Sequence, residues 1–449
     1  MFIKLEKSLK NINYKLFLSL LMMGLSPTIY ITLRVFWLGN LPTDASYSIA
    51  GQLLWINLIY EIIDEAFILP LFYFIGKTIT NKKELTNQVK SGLIMVLGVY
   101  LFLSINIIIF CYPLLKLMAI NLSIIDASAT YIRIEVIANV FAILSQFALV
   151  GIVALAKHKN IYILIVFKLI LCVILDIFLV SSLNISANLG VNGIGVTNII
   201  VNSLIFAITL FLLTRNGINV FNREKISFYW IKEFMKKIVI SGLESLVRNL
   251  TYIVMIVRMI NVVNEQGTYW VANNFIWGWI LLPITQLGEL IKQEISTNKD
   301  SIKNNSLGYF AITIITIFVW CGLIPIYKPF MQYVCNYHDV DKLFELVMVL
   351  FGFYILYALQ NVVDATFCGL GKIHYILCES LITNLLYYGI AFILYMAGIW
   401  QPTLIGIALL FGIGNAFDTL VSFGAYWFLL KTNHINILDV KNNKSFCKY

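Results

Sequence analysis

Apolar residues run through this chain in long blocks separated by short polar interruptions. Six blocks fall near residues 16–38, 47–76, 91–113, 129–154, 161–183 and 190–213. A polar, basic stretch from Thr214 to Lys237 follows, and then six more blocks near 238–262, 268–291, 306–327, 343–368, 374–398 and 402–430. A helix needs roughly 20 residues to cross a hydrocarbon core of about 30 Å, so each block is read as one transmembrane helix. The second needs an argument, because Glu61, Asp64 and Glu65 interrupt it. Neither 47–60 nor 66–76 alone is long enough to cross, so the three acids are expected inside the membrane. The fold class expected is all-α, a polytopic membrane protein with twelve transmembrane helices.

Composition agrees. Of 449 residues, 60% are hydrophobic and only 12% charged, about half the share expected of a soluble domain. Mean hydropathy is +0.86. Soluble, disordered, fibrous and disulfide-scaffold classes are excluded. The 32 Lys and Arg then test the topology. With both ends inside, 24 lie on cytoplasmic segments, three on outer loops (Lys116, Lys328, Lys342) and five within spans. That is a strong positive-inside bias. The net charge of +9 follows from topology and anionic lipid, so no nucleic-acid partner is invoked.

Seven scattered cysteines and four histidines show no metal-ligand spacing, and no G-x-x-x-x-G-K-[ST] motif occurs. No metal, cofactor or P-loop ATP hydrolysis is expected. The loops are too short and nondescript to carry a compact catalytic group, so the chain is read as a non-enzyme.

Two short motifs repeat. Ala154-Leu-Ala-Lys157 closes the fourth span and Gly369-Leu-Gly-Lys372 the tenth, 215 residues later. Gly193-Ile-Gly195 opens the sixth and Gly406-Ile-Ala408 the twelfth, 213 later. Near-equal offsets suggest two six-helix halves of the same orientation, an arrangement found in transporters. The expected parts are an N-terminal lobe (1–213), a basic cytoplasmic linker (214–237), a C-terminal lobe (238–430) and a cytoplasmic tail (431–449).

Over roughly residues 15 to 430 the chain resembles the MATE (multidrug and toxic compound extrusion) family of the MOP flippase superfamily. The resemblance rests on the two halves, Pro27 within the first helix, Cys172-Val-Ile-Leu-Asp176 in the fifth, Leu189-Gly-Val-Asn-Gly-Ile-Gly195 and Gly369-Leu-Gly-Lys372. It implies a V-shaped pair of bundles and transport driven by exchange for Na⁺ or H⁺. In one branch of the family the first helix carries an Asp five residues before a Gly and shares a cation site with the fifth-helix Asp. Here Arg34 stands five residues before Gly39, and Cys172 replaces the Asn four residues before Asp176. Another branch carries a Glu in the seventh helix and an Asp in the tenth. Glu244 and Asp364 occur in those helices but out of the usual register.

Ionisable residues in the bilayer cost roughly 3 kcal/mol or more and face a partner or water. Arg34 and Asp176 lie at matching depth, so Arg34 is expected to pair with Asp176, either as a tethered cation in a coupling site or as a static structural pair. Glu61, Asp64 and Glu65, at i, i+3 and i+4, share one helix face, with Lys168 at a plausible depth to pair with one of them. Proton or cation handling and a Lys168-centred structural network are both open. Glu244 and Arg248, at i and i+4, have the spacing of a pair, and Asp364 is another acid within reach of Arg248. Asp418 has no evident partner in its helix and is a cavity candidate, whereas Glu379, near an inner helix end, is expected to be solvated. Asn273, Asn274 and Trp277 are candidates to line a cavity for an organic cation. Pro27 is the candidate hinge.

The function expected is secondary active export of an organic, amphiphilic or cationic compound by alternating access, with H⁺ or Na⁺ antiport. The alternative is a flippase for a lipid-linked precursor, kept open by Arg34, Lys168, Arg248 and Arg258; a membrane-embedded transferase is less favoured. The expected partners are the small-molecule substrate, the coupling ion and membrane lipids, with the chain acting as a monomer in the plasma membrane and both termini cytoplasmic.

Overall fold

The structure is a computed structural model that describes residues 2–41, 45–77, 81–154, 158–221, 226–433 and Ile435. Within the helices a few side chains, that of Glu244 among them, also lie outside the described residues.

The described chain is helical throughout. In order run α1 (Phe2–Asn11), α2 (Tyr14–Gly39), α3 (Ala45–Gly51), α4 (Leu53–Lys77), α5 (Lys82–Ile109), α6 (Cys111–Leu117), α7 (Ile125–Ala154), α8 (His158–Leu179) and α9 (Val191–Arg215). There follow α10 (Ile231–Tyr252), α11 (Arg258–Val262), α12 (Gln266–Phe275), α13 (Leu282–Thr297), α14 (Ser301–Tyr333), α15 (Val340–Gly369), α16 (Ile373–Ile382), α17 (Gly389–Met396) and α18 (Leu404–Thr432). A π-helical turn joins α10 to α11, another joins α12 towards α13, and a third joins α16 to α17. Apart from the second, which is divided into α3 and α4, each expected span contains one long helix or one such joined set.

Among the described residues, ten helices are long and apolar enough to cross a membrane. The second and eighth expected spans are the two that fall short, and each has a local reason. A turn at Gln52 separates α3 from α4, whose middle carries the three acids. The eighth is broken by the π turn Ile276–Ile280 and by Pro283 at the start of α13. Polar caps mark several starts: the side chains of Asn81, Asp339 and Thr403 accept from the backbone N–H of Glu84, Lys342 and Gly406. Gly371 (φ +70°) turns the chain after α15, a conformation that a Cβ would strain.

Helix α1 was not anticipated. Its lysines mark it as polar in the sequence, yet it packs on α14, where Ser8 Oγ accepts from the Gly308 N–H at 2.8 Å.

Contacts group the described chain into two compact units, Met1–Ile29 with Val271–Tyr449, and Tyr30–Trp270. Their boundaries fall inside α2 and α12 and not at the 214–237 stretch. In the 30–270 unit the tightest pairs are α7 with α9 and α4 with α10, around a core that includes Trp55, Tyr100, Phe147 and Phe234. In the other unit α15 packs on α13, α14 and α18. Lipid supplies no hydrophobic drive between helices, so close backbone approach at small residues matters. The Gly193-Ile-Gly195 motif serves that purpose. A Cβ on Gly193 would meet the Leu179 carbonyl oxygen at 2.6 Å, and one on Gly195 would meet Ile134 Cγ2 at 2.6 Å. These contacts seat α9 against the end of α8 and the middle of α7.

Candidate functional site

Charged groups inside the spans collect into separate constellations. In the first, Arg34 of α2 donates from Nε to Asp176 Oδ2 at 2.7 Å and from Nη2 to Asp176 Oδ1 at 3.4 Å. Its Nη2 also donates to Asn198 Oδ1 of α9 at 2.8 Å. The Asn198 amide in turn donates to both carboxylate oxygens of Glu135 on α7, at 2.8 and 3.0 Å. The Tyr30 ring lies 5.1 Å below the guanidinium. Arg34, Asp176 and Glu135 are 7%, 2% and 3% exposed. The expected Arg34–Asp176 pair therefore forms, as a fork on one carboxylate, which suits a planar guanidinium. Glu135 was missed by sequence reasoning. Its signal was available: an acid in the apolar run Tyr131-Ile-Arg-Ile-Glu135 of the fourth span. Two buried acids and one Arg leave one negative charge in excess when both carboxyls are ionised.

Cys172 and Lys168 lie one and two turns before Asp176 on α8. Cys172 is buried, and Lys168 is half-buried and forms no ion pair among the described residues. The expected Lys168 contact with the second-span acids is thus not made.

That role falls to Arg248 of α10. Its Nη2 donates to both oxygens of Glu65, at 2.7 and 3.0 Å, and its Nη1 to Glu61 Oε1 at 3.4 Å. These side chains are 31–43% exposed. Asp64 turns aside to α5, where it accepts from the Tyr100 hydroxyl. The one expected face therefore serves two neighbours, and three acids stand against one Arg. Asp364 of α15 accepts from the Ser422 hydroxyl of α18 at 2.7 Å. The Glu244 side chain, expected to pair with Arg248, lies outside the described residues. Arg258, at the start of α11, donates to the Leu117 carbonyl at 2.9 Å.

Asp418 has partners after all. It accepts from Gln360 of α15 at 2.8 Å and from the Thr383 hydroxyl at 2.6 Å. Glu379 also departs from expectation: it is 3% exposed and accepts from the same Gln360 amide at 2.7 Å. Depth along the helix located it near an end, but packing against α15 and α18 removes the solvent.

Asn273 and Asn274 on α12 are half-buried, and Trp277 is 38% exposed. Trp277 meets Tyr354 and Tyr357 of α15 edge to face, with centroids 6.3 and 5.5 Å apart. This edge-to-face packing ties the π turn after α12 to α15.

No family model and no curated sequence matches this chain. Solved structures do. A multidrug resistance MATE family transporter of the MOP superfamily, in its inward-facing conformation, is similar at a TM-score of 0.76 over 93% of this chain and 98% of that one, with 17% identity. The chain has the MATE fold. An outward-facing structure of a transporter of that family matches at 0.71, with 16% identity over 95% and 98%. A MOP superfamily transporter from Pyrococcus furiosus, described as having a binding pocket of reversed polarity, matches at 0.69, with 16% identity and the same coverage. MATE-fold architecture accounts for the twelve spans, and the protein is a polytopic membrane protein built as two bundles. At the first-span position where the sequence resemblance leads one to expect an acid, this MATE-fold chain carries Arg34, bonded to Asp176.

Proposed function

We propose that this protein is a secondary active transporter that exports an organic, amphiphilic or cationic compound across the plasma membrane by alternating access, with both termini cytoplasmic and H⁺ or Na⁺ exchanged for substrate. Matches to inward-facing and outward-facing transporters of the same fold support alternating access. The observation that carries ion coupling is the surplus of acids over bases inside the membrane-spanning helices. Among the described residues Glu61 and Glu65 pair with Arg248 while Asp64 accepts from Tyr100, and Asp176 and Glu135 gather with Arg34 around Asn198. Charges within spans are expensive, so a surplus that persists is retained for exchange with ions.

In this reading Arg34 occupies the place of a cation beside Asp176, and ion exchange falls to the acids of α4. Pro27 leaves the Met23 carbonyl without its usual helical donor and is the bending point of α2. Asn273, Asn274 and Trp277 offer the substrate wall, and the lobes 1–213 and 238–430 are the moving parts. A lipid-linked anionic substrate would call on the intramembrane cations, but Arg34 and Arg248 are engaged by carboxylates. The test is the full-length protein in proteoliposomes, with the dye ethidium as probe and pH and Na⁺ gradients imposed separately. One gradient should drive dye accumulation; no movement under either would overturn the proposal.

A further inference from the structure

Glu379 of α16 presents a problem that the coupling sites above do not. It is 3% exposed, and its Oε1 takes the Gln360 amide at 2.7 Å. Its Oε2 is buried without a hydrogen bond of normal geometry, and the nearby Ser422 hydroxyl donates to Asp364 at 2.7 Å. The Glu379 and Asp418 carboxyls are brought together by one donor, both accepting from Gln360 Nε2, at 2.7 and 2.8 Å. The remaining charged group facing Glu379 is Asp364 of α15, another acid. Neither Glu379 nor Asp418 forms an ion pair among the described residues.

Gln360 cannot solve this electrostatically. Its amide is neutral, and the Thr419 hydroxyl at 2.9 Å on Oε1 holds its Nε2 towards the two carboxyls. Thr383 completes the setting, donating to Asp418 Oδ1 at 2.6 Å from the first residue of the π-helical turn Thr383–Tyr388. Such turns recur at functional positions in helices. Two adjacent carboxylates without a cation repel one another and settle by sharing a proton. A proton on Glu379 Oε2 turns the orphaned acceptor into a donor and removes one charge.

We propose that Glu379 and Asp418 form a proton-binding site in the second half of the chain, holding one proton between them under the Gln360 amide. Its role as a coupling position rests on the antiport reading: the pair takes up one proton from one side and releases it to the other when Glu379 or Asp418 reaches water. The binding site itself does not depend on that reading.

The test is infrared difference spectroscopy of the purified full-length protein in lipid, following the carbonyl stretch of a protonated carboxyl at neutral pH with H₂O and D₂O exchanged. The parent should show the band, and Glu379→Gln should lose it. Asp418→Asn should shift or lose it, because the neighbouring carboxylate is gone. Asp341→Asn, on the surface near Lys328, should leave it unchanged. Gln is close in shape to the protonated acid, and an unchanged helical circular dichroism spectrum certifies its fold. A parent without the band, or a band unmoved in both Glu379→Gln and Asp418→Asn, overturns the proposal, as does replacement of the band by Na⁺-dependent thermal stabilisation that both variants abolish. Failure of ethidium transport with the band intact would sink the transporter reading alone.

Discussion

Replacing Arg34 by Ala should be among the most damaging single changes in the 30–270 unit. Among the described residues Arg34 supplies both hydrogen bonds to the Asp176 carboxylate, at 2.7 and 3.4 Å, and the side chains are 8% and 2% exposed. Removing it leaves a buried carboxylate with no donor and strips Asn198 Oδ1 of its 2.8 Å contact. Two unit charges 2.7 Å apart interact by about 6 kcal/mol at an effective dielectric of 20. Much of that offsets desolvation, so the pair's net worth is small. The loss on breaking it from one side is larger, about 3–5 kcal/mol, because the survivor stays buried and unpaired. Asp176→Leu alone should cost a similar amount. Arg34→Met with Asp176→Leu together should cost far less than the two single changes summed, since neither charge remains. The assay is a double-mutant cycle on the unfolding of the purified protein in detergent, followed by the fluorescence of its nine tryptophans. A coupling below about 1 kcal/mol would refute the reasoning, because the pair would then behave like an exposed one. Surviving Arg34→Ala protein also decides the pair's role. Unchanged rate and ion dependence of transport would make it a static brace, and an altered ion dependence would support the tethered cation.

Other expectations follow from neighbouring geometry. The Arg248 pairs with Glu61 and Glu65 are more open than the Arg34–Asp176 pair, so Glu65→Gln should lower the unfolding midpoint by less than Arg34→Ala does. Gly193→Ala should destabilise by about 1–3 kcal/mol, since its new methyl meets a backbone carbonyl at 2.6 Å that cannot rotate away. Gly195→Ala, facing the movable Ile134 side chain, should cost less, and equal unfolding midpoints for the two would contradict this account.

The sequence alone determined the class, the succession of apolar spans and the place of each charge along its helix. Those properties depend on one helix at a time: hydrophobic length sets the crossing, and 1.5 Å per residue sets the depth. This is why the pairing of Arg34 with Asp176 was legible, two groups at one level with complementary charge. It also put the acids of α4 on one helix, though it named the wrong partner. Arg248 rather than Lys168 meets Glu61 and Glu65 because α10 packs on α4, and nothing in either segment's periodicity states which helix lies alongside.

The tertiary structure decided what neighbours decide. Glu135 enters the Arg34 constellation only through Asn198, which α9 presents because Gly193 and Gly195 let it approach α8 and α7. Glu379 is dry because α15 and α18 cover it, although its place near a helix end predicts water. Depth along a helix is written in the order of residues. Azimuth and neighbour are set by how small side chains allow backbones to close, and that contact is made between segments far apart in the chain.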